Sequence, residues 1–470
     1  MSTRAILVCA IALPAAAIAD VRLPALFSDG MVLQRDAPIP VWGWAEPWER
    51  VSIALGSQRR LAIATLDGKW RVTFGAMPAA ESPVAFEVSG RNALRIQNVA
   101  VGDVWVCSGQ SNMAWTLRQS ARAEEFIRET SDPHLRMFTV EHRTANSPQS
   151  DCKGSWRHAS PETAGQFSAV GYHFARHLRI DRGVPVGMIH SSWGGTPAEA
   201  WTREGALTGD PILEPLLARK HDERVAPQHK PGRLYNGMIA PLIPYRIRGA
   251  IWYQGESNVS RAFQYRALFP AMIRNWREDW GQGAFPFYFV QIAPYDYGDM
   301  NPLFAAELRE AQRLALSAVP NTGMAVTLDI GDPKDIHPGN KHEVGRRLAL
   351  FEIARVRGSG IPHSGPRFQG IAIEGSRIRV RFANCGSGLA TRDGKAPSHF
   401  EIAGEDRAYA PAQARIEGDT VVLWSAGVGR PVAARFAFRD DAEPNLVDGF
   451  GLPGSSFKSD DWPWASTGNR

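Results

Sequence analysis

The chain has 470 residues, 44% hydrophobic and 21% charged, an ordinary globular composition too long for one core, so two or three domains are expected. Its 53 basic and 48 acidic residues leave a net charge of +5 with no run of Lys or Arg, which excludes a nucleic-acid-binding stripe. No stretch beyond the N-terminus is apolar for long enough to span a bilayer, so no membrane anchor is expected.

Residues 1–19 read as a secretory signal: Arg4, an apolar run over 5–16, then Ala17, Ile18 and Ala19 before Asp20. The mature protein is expected to begin near Asp20 and to be periplasmic or secreted. Cys9 follows Val8, where a lipidation site needs a small residue. Export leaves Cys107, Cys152 and Cys385, enough for at most one disulfide and without zinc-ligand spacing. Cys107 falls inside a predicted buried strand and reads as a small core residue.

Over 20–98, short alternating segments at 51–55, 70–74 and 84–88 are separated by Gly, Pro, Asp and Ser clusters, which predicts a small β-sandwich-like unit. The pattern changes over 99–365. Nearly continuous apolar strands are predicted at 104–107, 184–190, 249–253, 287–292 and 323–328, with amphipathic helices at 121–129, 168–180, 303–319 and 342–355. Strands buried on both faces and alternating with helices imply a parallel sheet built from βαβ units. From about 366 to 470 short alternating strands return at 371–373, 378–382, 420–424 and 433–438, predicting a second β-rich unit.

The chemistry-bearing residues cluster just after the predicted strands. Val101–Cys107 runs into Gly109-Gln-Ser-Asn-Met113, where Gly109 breaks the strand and leaves Ser111 at its carboxyl end, the edge at which open α/β sheets bind ligands. The strand ending at His190 leads into Trp193-Gly-Gly-Thr-Pro197, whose paired glycines let backbone N–H groups approach a ligand. The strand ending at Tyr253 leads into Gln254-Gly-Glu-Ser-Asn258. The last strand leads through Asp332 to Asp335-Ile-His-Pro338; if that segment is extended, Asp335 and His337 face the same side and the carboxylate can orient the imidazole. Each motif alone is ordinary turn or capping chemistry. Together, after successive strands of one sheet, they point to a serine hydrolase.

These motifs, with Leu23-Pro-Ala-Leu-Phe-Ser-Asp-Gly-Met-Val-Leu-Gln34, Tyr235-Asn-Gly-Met-Ile-Ala-Pro-Leu242 and Gly451-Leu-Pro-Gly-Ser-Ser-Phe457, resemble the sialate O-acetylesterase family, a branch of the SGNH hydrolases, over nearly the whole mature chain. The resemblance implies a three-layer αβα catalytic domain flanked by the two β-rich units, and deacetylation of O-acetylated sugars such as sialic acids or plant hemicelluloses. It implies Ser111 as nucleophile, His337 as general base and Asp335 as orienting acid, with no metal and no cofactor. The usual superfamily spacing is Asp-x-x-His, and the Asp-x-His seen here leaves Asp332 as a second candidate. The oxyanion donors implied are an amide of Gln254 or Asn258, with Gln254 preferred, and the backbone N–H of Gly195 or Gly194. Longer relatives carry an inserted domain; only 203–233 could host one here, and that stretch is too short for a domain. The rival readings are a non-catalytic carbohydrate-binding protein and a lipase or thioesterase of the same superfamily.

Overall fold

The computed structural model describes residues 20–358 and 360–469; the expected leader, residues 1–19, lies outside them. The fold is built on one strand, Ala93–Gly109. Its first half pairs antiparallel with Ala80–Ser89, and its middle pairs in parallel with Val32–Gln34. Its second half is the centre of a parallel sheet ordered Thr322–Ala325, Phe287–Val290, Gly249–Tyr253, Ala93–Gly109, Val186–Ser192, Asp132–Thr139, with Trp156–Ala159 antiparallel at the far edge. The N-terminal β-unit and the catalytic domain expected to meet at residue 98 therefore share a continuous strand rather than a linker.

Alternation along that strand divides the core into two faces. Trp105 and Cys107 pack with Phe174, Met188, Ile251, Val344 and Leu348 beneath the helices Ala169–Arg182 and Lys341–Arg357. Val104 and Val106 pack with Trp252, Phe269, Ile273, Trp276 and Leu308 beneath Ala262–Trp280 and Phe304–Ala318. This is the three-layer αβα arrangement expected. Local chemistry sets the helix ends: the Ser168 hydroxyl accepts the Gly171 N–H at 3.1 Å, Gly183 closes the same helix with φ 66°, and Asn340 caps Lys341–Arg357. The sequence reading did not anticipate Ala262–Trp280, whose interior carries Pro270, a residue that ordinarily ends a helix.

The C-terminal unit contains two four-stranded antiparallel sheets, one of Arg367–Glu374, Arg377–Ala383, Thr420–Trp424 and Gln413–Glu417, the other centred on Phe400–Ala403 and Ala433–Phe436. It is tied to the helix Phe304–Ala318 by the fully buried Arg309, which donates to the carbonyls of Asp440 at 3.2 Å and of Arg439, and by Glu307, which accepts the backbone N–H of Ser466 at 3.0 Å. Cys107, Cys152 and Cys385 are buried, and no two of them are bonded, so there is no disulfide among the described residues. Burial pushes the Cys152 thiol up to about 12 and Cys107 higher still, which keeps both from being nucleophiles. No described helix is long and apolar enough to cross a membrane.

Candidate active site

The carboxyl edge of the parallel sheet gathers the four motifs. Gly109 ends its strand at φ 140°, and a Cβ there would lie 2.1 Å from the Tyr253 carbonyl of the neighbouring strand, so only glycine fits the exit. The Gln110 N–H then bonds that same carbonyl at 3.0 Å, and the chain turns at once into the short helix Ser111–Ala114. Ser111 stands partly exposed at the head of this turn, while Asn112 and Met113 behind it are buried. Gly194 lies against it: a Cβ on Gly194 would be 3.4 Å from Ser111 Cβ. Gly195 follows with φ 71°, and the N–H groups of Gly194 and Gly195 have no acceptor among the described residues. Gly194, against the serine, and its neighbour Gly195 thus offer two uncommitted backbone donors, the kind of group that can hold a developing oxyanion.

His337 arrives from the loop between Thr322–Ala325 and Lys341–Arg357. The Asn112 side chain fixes its approach by donating at 2.9 Å to the carbonyl of Ile336, which joins the serine turn to the residue before the histidine. The imidazole stacks on Trp115 with ring centroids 4.5 Å apart and planes 12° apart, so Trp115 sets the orientation of the ring. Burial lowers its proton affinity, the positive charge of Lys341 lowers it further, and Asp335 opposes both. The imidazole is therefore held towards the neutral form that a general base needs.

The loop is not extended, contrary to the expectation from the sequence. The Asp335 N–H bonds the Asp332 carbonyl at 3.0 Å, and each carboxylate caps the backbone two residues on, Asp332 at Lys334 and Asp335 at His337, at 2.9 and 2.8 Å. A proline at 333 and two aspartates favour such turns over a strand. Asp335 remains the carboxylate whose charge reaches the ring, through a turn rather than a shared strand face.

Gln254 and Asn258 are placed differently from expectation. Both are buried, and Gln254 Nε2 donates to Asn258 Oδ1 at 2.7 Å and to the Thr196 carbonyl at 3.4 Å. Asn258 Nδ2 donates to Glu199 at 3.0 Å, while its Oδ1 accepts the Ala198 N–H at 2.9 Å. Gln254 Nε2 has two acceptors and Asn258 Nδ2 one, and together the two amides brace the segment that follows Gly194 and Gly195. The acceptors that engage them, the Thr196 carbonyl and the buried Glu199 carboxylate, come from a distant segment and leave no local signal, while the Tyr265 hydroxyl donates to Gln254 Oε1 at 3.0 Å.

Sequence reasoning also missed Trp115 and Lys341. Trp115 follows Ser111 by four residues, one helical turn, and that spacing was the available signal. Lys341 opens its helix like an ordinary surface lysine yet is fully buried. No cluster of His, Cys, Asp and Glu among the described residues could hold a metal ion.

Residues 101–352 match the family model described as carbohydrate esterase, sialic acid-specific acetylesterase. Sialate O-acetylesterases of Pongo abelii and Homo sapiens are 31% and 30% identical over 386 residues, covering 73% of this chain and 73% of each relative. A carbohydrate acetylesterase from Xanthomonas citri has a crystal structure that superposes with a TM-score of 0.88 at 39% identity, over 94% of this chain and 100% of that one. The central parallel sheet and its flanking helices are thus of the SGNH type. The chain belongs to the sialate O-acetylesterase family and is a carboxylic ester hydrolase.

Proposed function

We propose that the protein removes acetyl groups from O-acetylated carbohydrates, sialic acids or plant hemicelluloses such as xylan and xyloglucan, through an acetyl-enzyme on Ser111. One observation carries the reading: the Asn112 to Ile336 hydrogen bond brings the His337 loop against the Ser111 turn, beside the free N–H groups of Gly194 and Gly195. His337 accepts the proton of Ser111 as its Oγ attacks the acetyl carbonyl, and the two glycine N–H groups hold the oxyanion. The C–O bond to the sugar breaks as the proton passes to the departing sugar oxygen. Water, deprotonated by the same imidazole, then hydrolyses the acetyl ester and restores the serine. Asp335 favours the imidazolium formed at each transfer.

Ser111→Ala removes the only atom that forms the covalent intermediate. Turnover should fall by several orders of magnitude, as on loss of other hydrolytic nucleophiles, with an unchanged melting curve. Acetate release at the wild-type rate from a folded Ser111→Ala protein would sink the assignment. Acetate release from a panel of acetylated sialic acids, acetylated xylan and acetylated xyloglucan identifies the substrate. Turnover of long-chain nitrophenyl esters at rates matching the acetate would favour a lipase instead.

A further inference from the structure

Beneath the serine turn lies a buried polar cluster with no part in the proton transfers above. Lys341, the first residue of Lys341–Arg357, is fully buried; its ammonium donates to Asn112 Oδ1 and stands 5.4 Å from the centre of the Tyr253 ring. The other end of the Asn112 amide donates to Glu256 Oε1 at 2.6 Å as well as to the Ile336 carbonyl at 2.9 Å. The second Glu256 oxygen is sealed from solvent without a partner among the described residues. Asn112 is therefore gripped at both ends: its oxygen can face only the ammonium and its nitrogen only the carboxylate and the carbonyl. Three segments meet on this one amide, the serine turn, the loop after Gly249–Tyr253 and the histidine loop.

A buried ammonium is costly unless it is paired and hydrogen-bonded, and here it needs both Asn112 and the facing Glu256. A leucine or methionine would fill the same space without that cost, so packing alone does not explain a lysine. We propose that Lys341 is a positioning residue of the hydrolytic centre, locking Asn112 so that the His337 loop stays in register with Ser111. Its charge has a second consequence. The groups facing His337 are Lys341 and Asp335, and those facing Lys341 are Glu256, from the loop after Gly249–Tyr253, and Asp335. Burial draws the Lys341 ammonium down to about 7, against the pull of both carboxylates, so that it is charged through the acid range in which His337 titrates. A positive charge beside the imidazole disfavours imidazolium, which carries the acid limb of activity to lower pH.

The proposal rests on Ser111 and His337 being nucleophile and base, and pH profiles of kcat and kcat/KM in three variants test it. Lys341→Met, which keeps the volume and removes both charge and hydrogen bond, should lower kcat about 10²-fold, the usual effect of a small misplacement of reacting groups, and move the acid limb to higher pH. KM should hold, because the buried side chain cannot touch substrate. Lys341→Gln keeps a donor for Asn112, so it should recover part of kcat while retaining the shifted limb. Asn112→Ala breaks the lock from the other side with the charge in place, so it should lose kcat at the wild-type limb. A folded Lys341→Met protein with wild-type kcat and acid limb overturns the proposal, as does a loss confined to KM. If that variant fails to fold, an unshifted limb in Lys341→Gln overturns it equally. An active Ser111→Ala protein would overturn the underlying assignment instead, so the two failures are told apart.

Discussion

Asp332 and Asp335 stand at opposite ends of one tight turn, and each carboxylate already accepts one backbone N–H. Asparagine can accept the same bond, so Asp→Asn exchanges at these positions preserve the turn and remove only charge. Asp335 is the carboxylate that raises the proton affinity of His337, and Asp332 is not among the charges that act on the ring. A buried triad carboxylate is worth about 10⁴ in turnover, and Asp335 is exposed to screening water, so Asp335→Asn should lower kcat by on the order of 10²-fold. Asp332→Asn should change it little, and neither should shift the melting temperature. The reverse order in steady-state kinetics would reassign the acid to Asp332.

The two helices covering one face of the sheet, Ala169–Arg182 and Lys341–Arg357, meet closely. A Cβ on Gly345 would lie 2.6 Å from His173 Cβ. His173 and His177, one turn apart, face His342 with ring centroids 5.0 and 5.6 Å away, and neither ring nitrogen of the buried His173 has a partner among the described residues. Arg122, Arg176 and Arg346 add positive charge around them, with Glu343 opposing. Burial first, and then these neighbours, lower His177 to about 4 and His173 to about 2, from 6.5 in the unfolded chain. Between pH 6.5 and 4 the unfolded chain therefore binds protons that the folded chain excludes, so stability is full above 6.5 and falls as pH falls. Each such group costs about 1.4 kcal/mol per pH unit at most. The melting temperature should drop from pH 7 to pH 5, and His173→Leu should flatten that slope. Parallel slopes in the two proteins would remove these histidines as the cause.

At the scale of the molecule, a single strand carries both the N-terminal unit and the serine turn, whereas the C-terminal unit docks through side chains and through the backbone of Asp440, which pairs with Tyr295 and Pro302. Arg309→Leu would remove the guanidinium bonds to the carbonyls of Arg439 and Asp440, leaving them only their backbone donors from Ala442 and Tyr295, at about 1.5–3 kcal/mol, the usual worth of a hydrogen bond to a charged group. The expected result is a lower melting temperature, with proteolytic cleavage concentrated in residues 358–366 between the catalytic and C-terminal units. An unchanged melting curve and cleavage pattern would show that Glu307 and the apolar contacts suffice.

Much of this molecule was legible in the order of its residues. The apolar runs that became parallel strands and the glycine exit at Gly109 are local or periodic effects, and a sequence displays those directly. The candidate nucleophile and base were legible for the same reason, since each follows a strand and the sheet carries strand ends to one edge. What the sequence could not express were the partners of polar side chains. Gln254 and Asn258 look like free amides until Thr196 and Glu199 arrive to accept from them, and Lys341 looks like a surface lysine until the helix seats it under Asn112. A buried polar group takes whatever donor or acceptor the packed chain presents, from segments up to 229 residues away, so only the tertiary structure decides which side chains face substrate and which hold them in place.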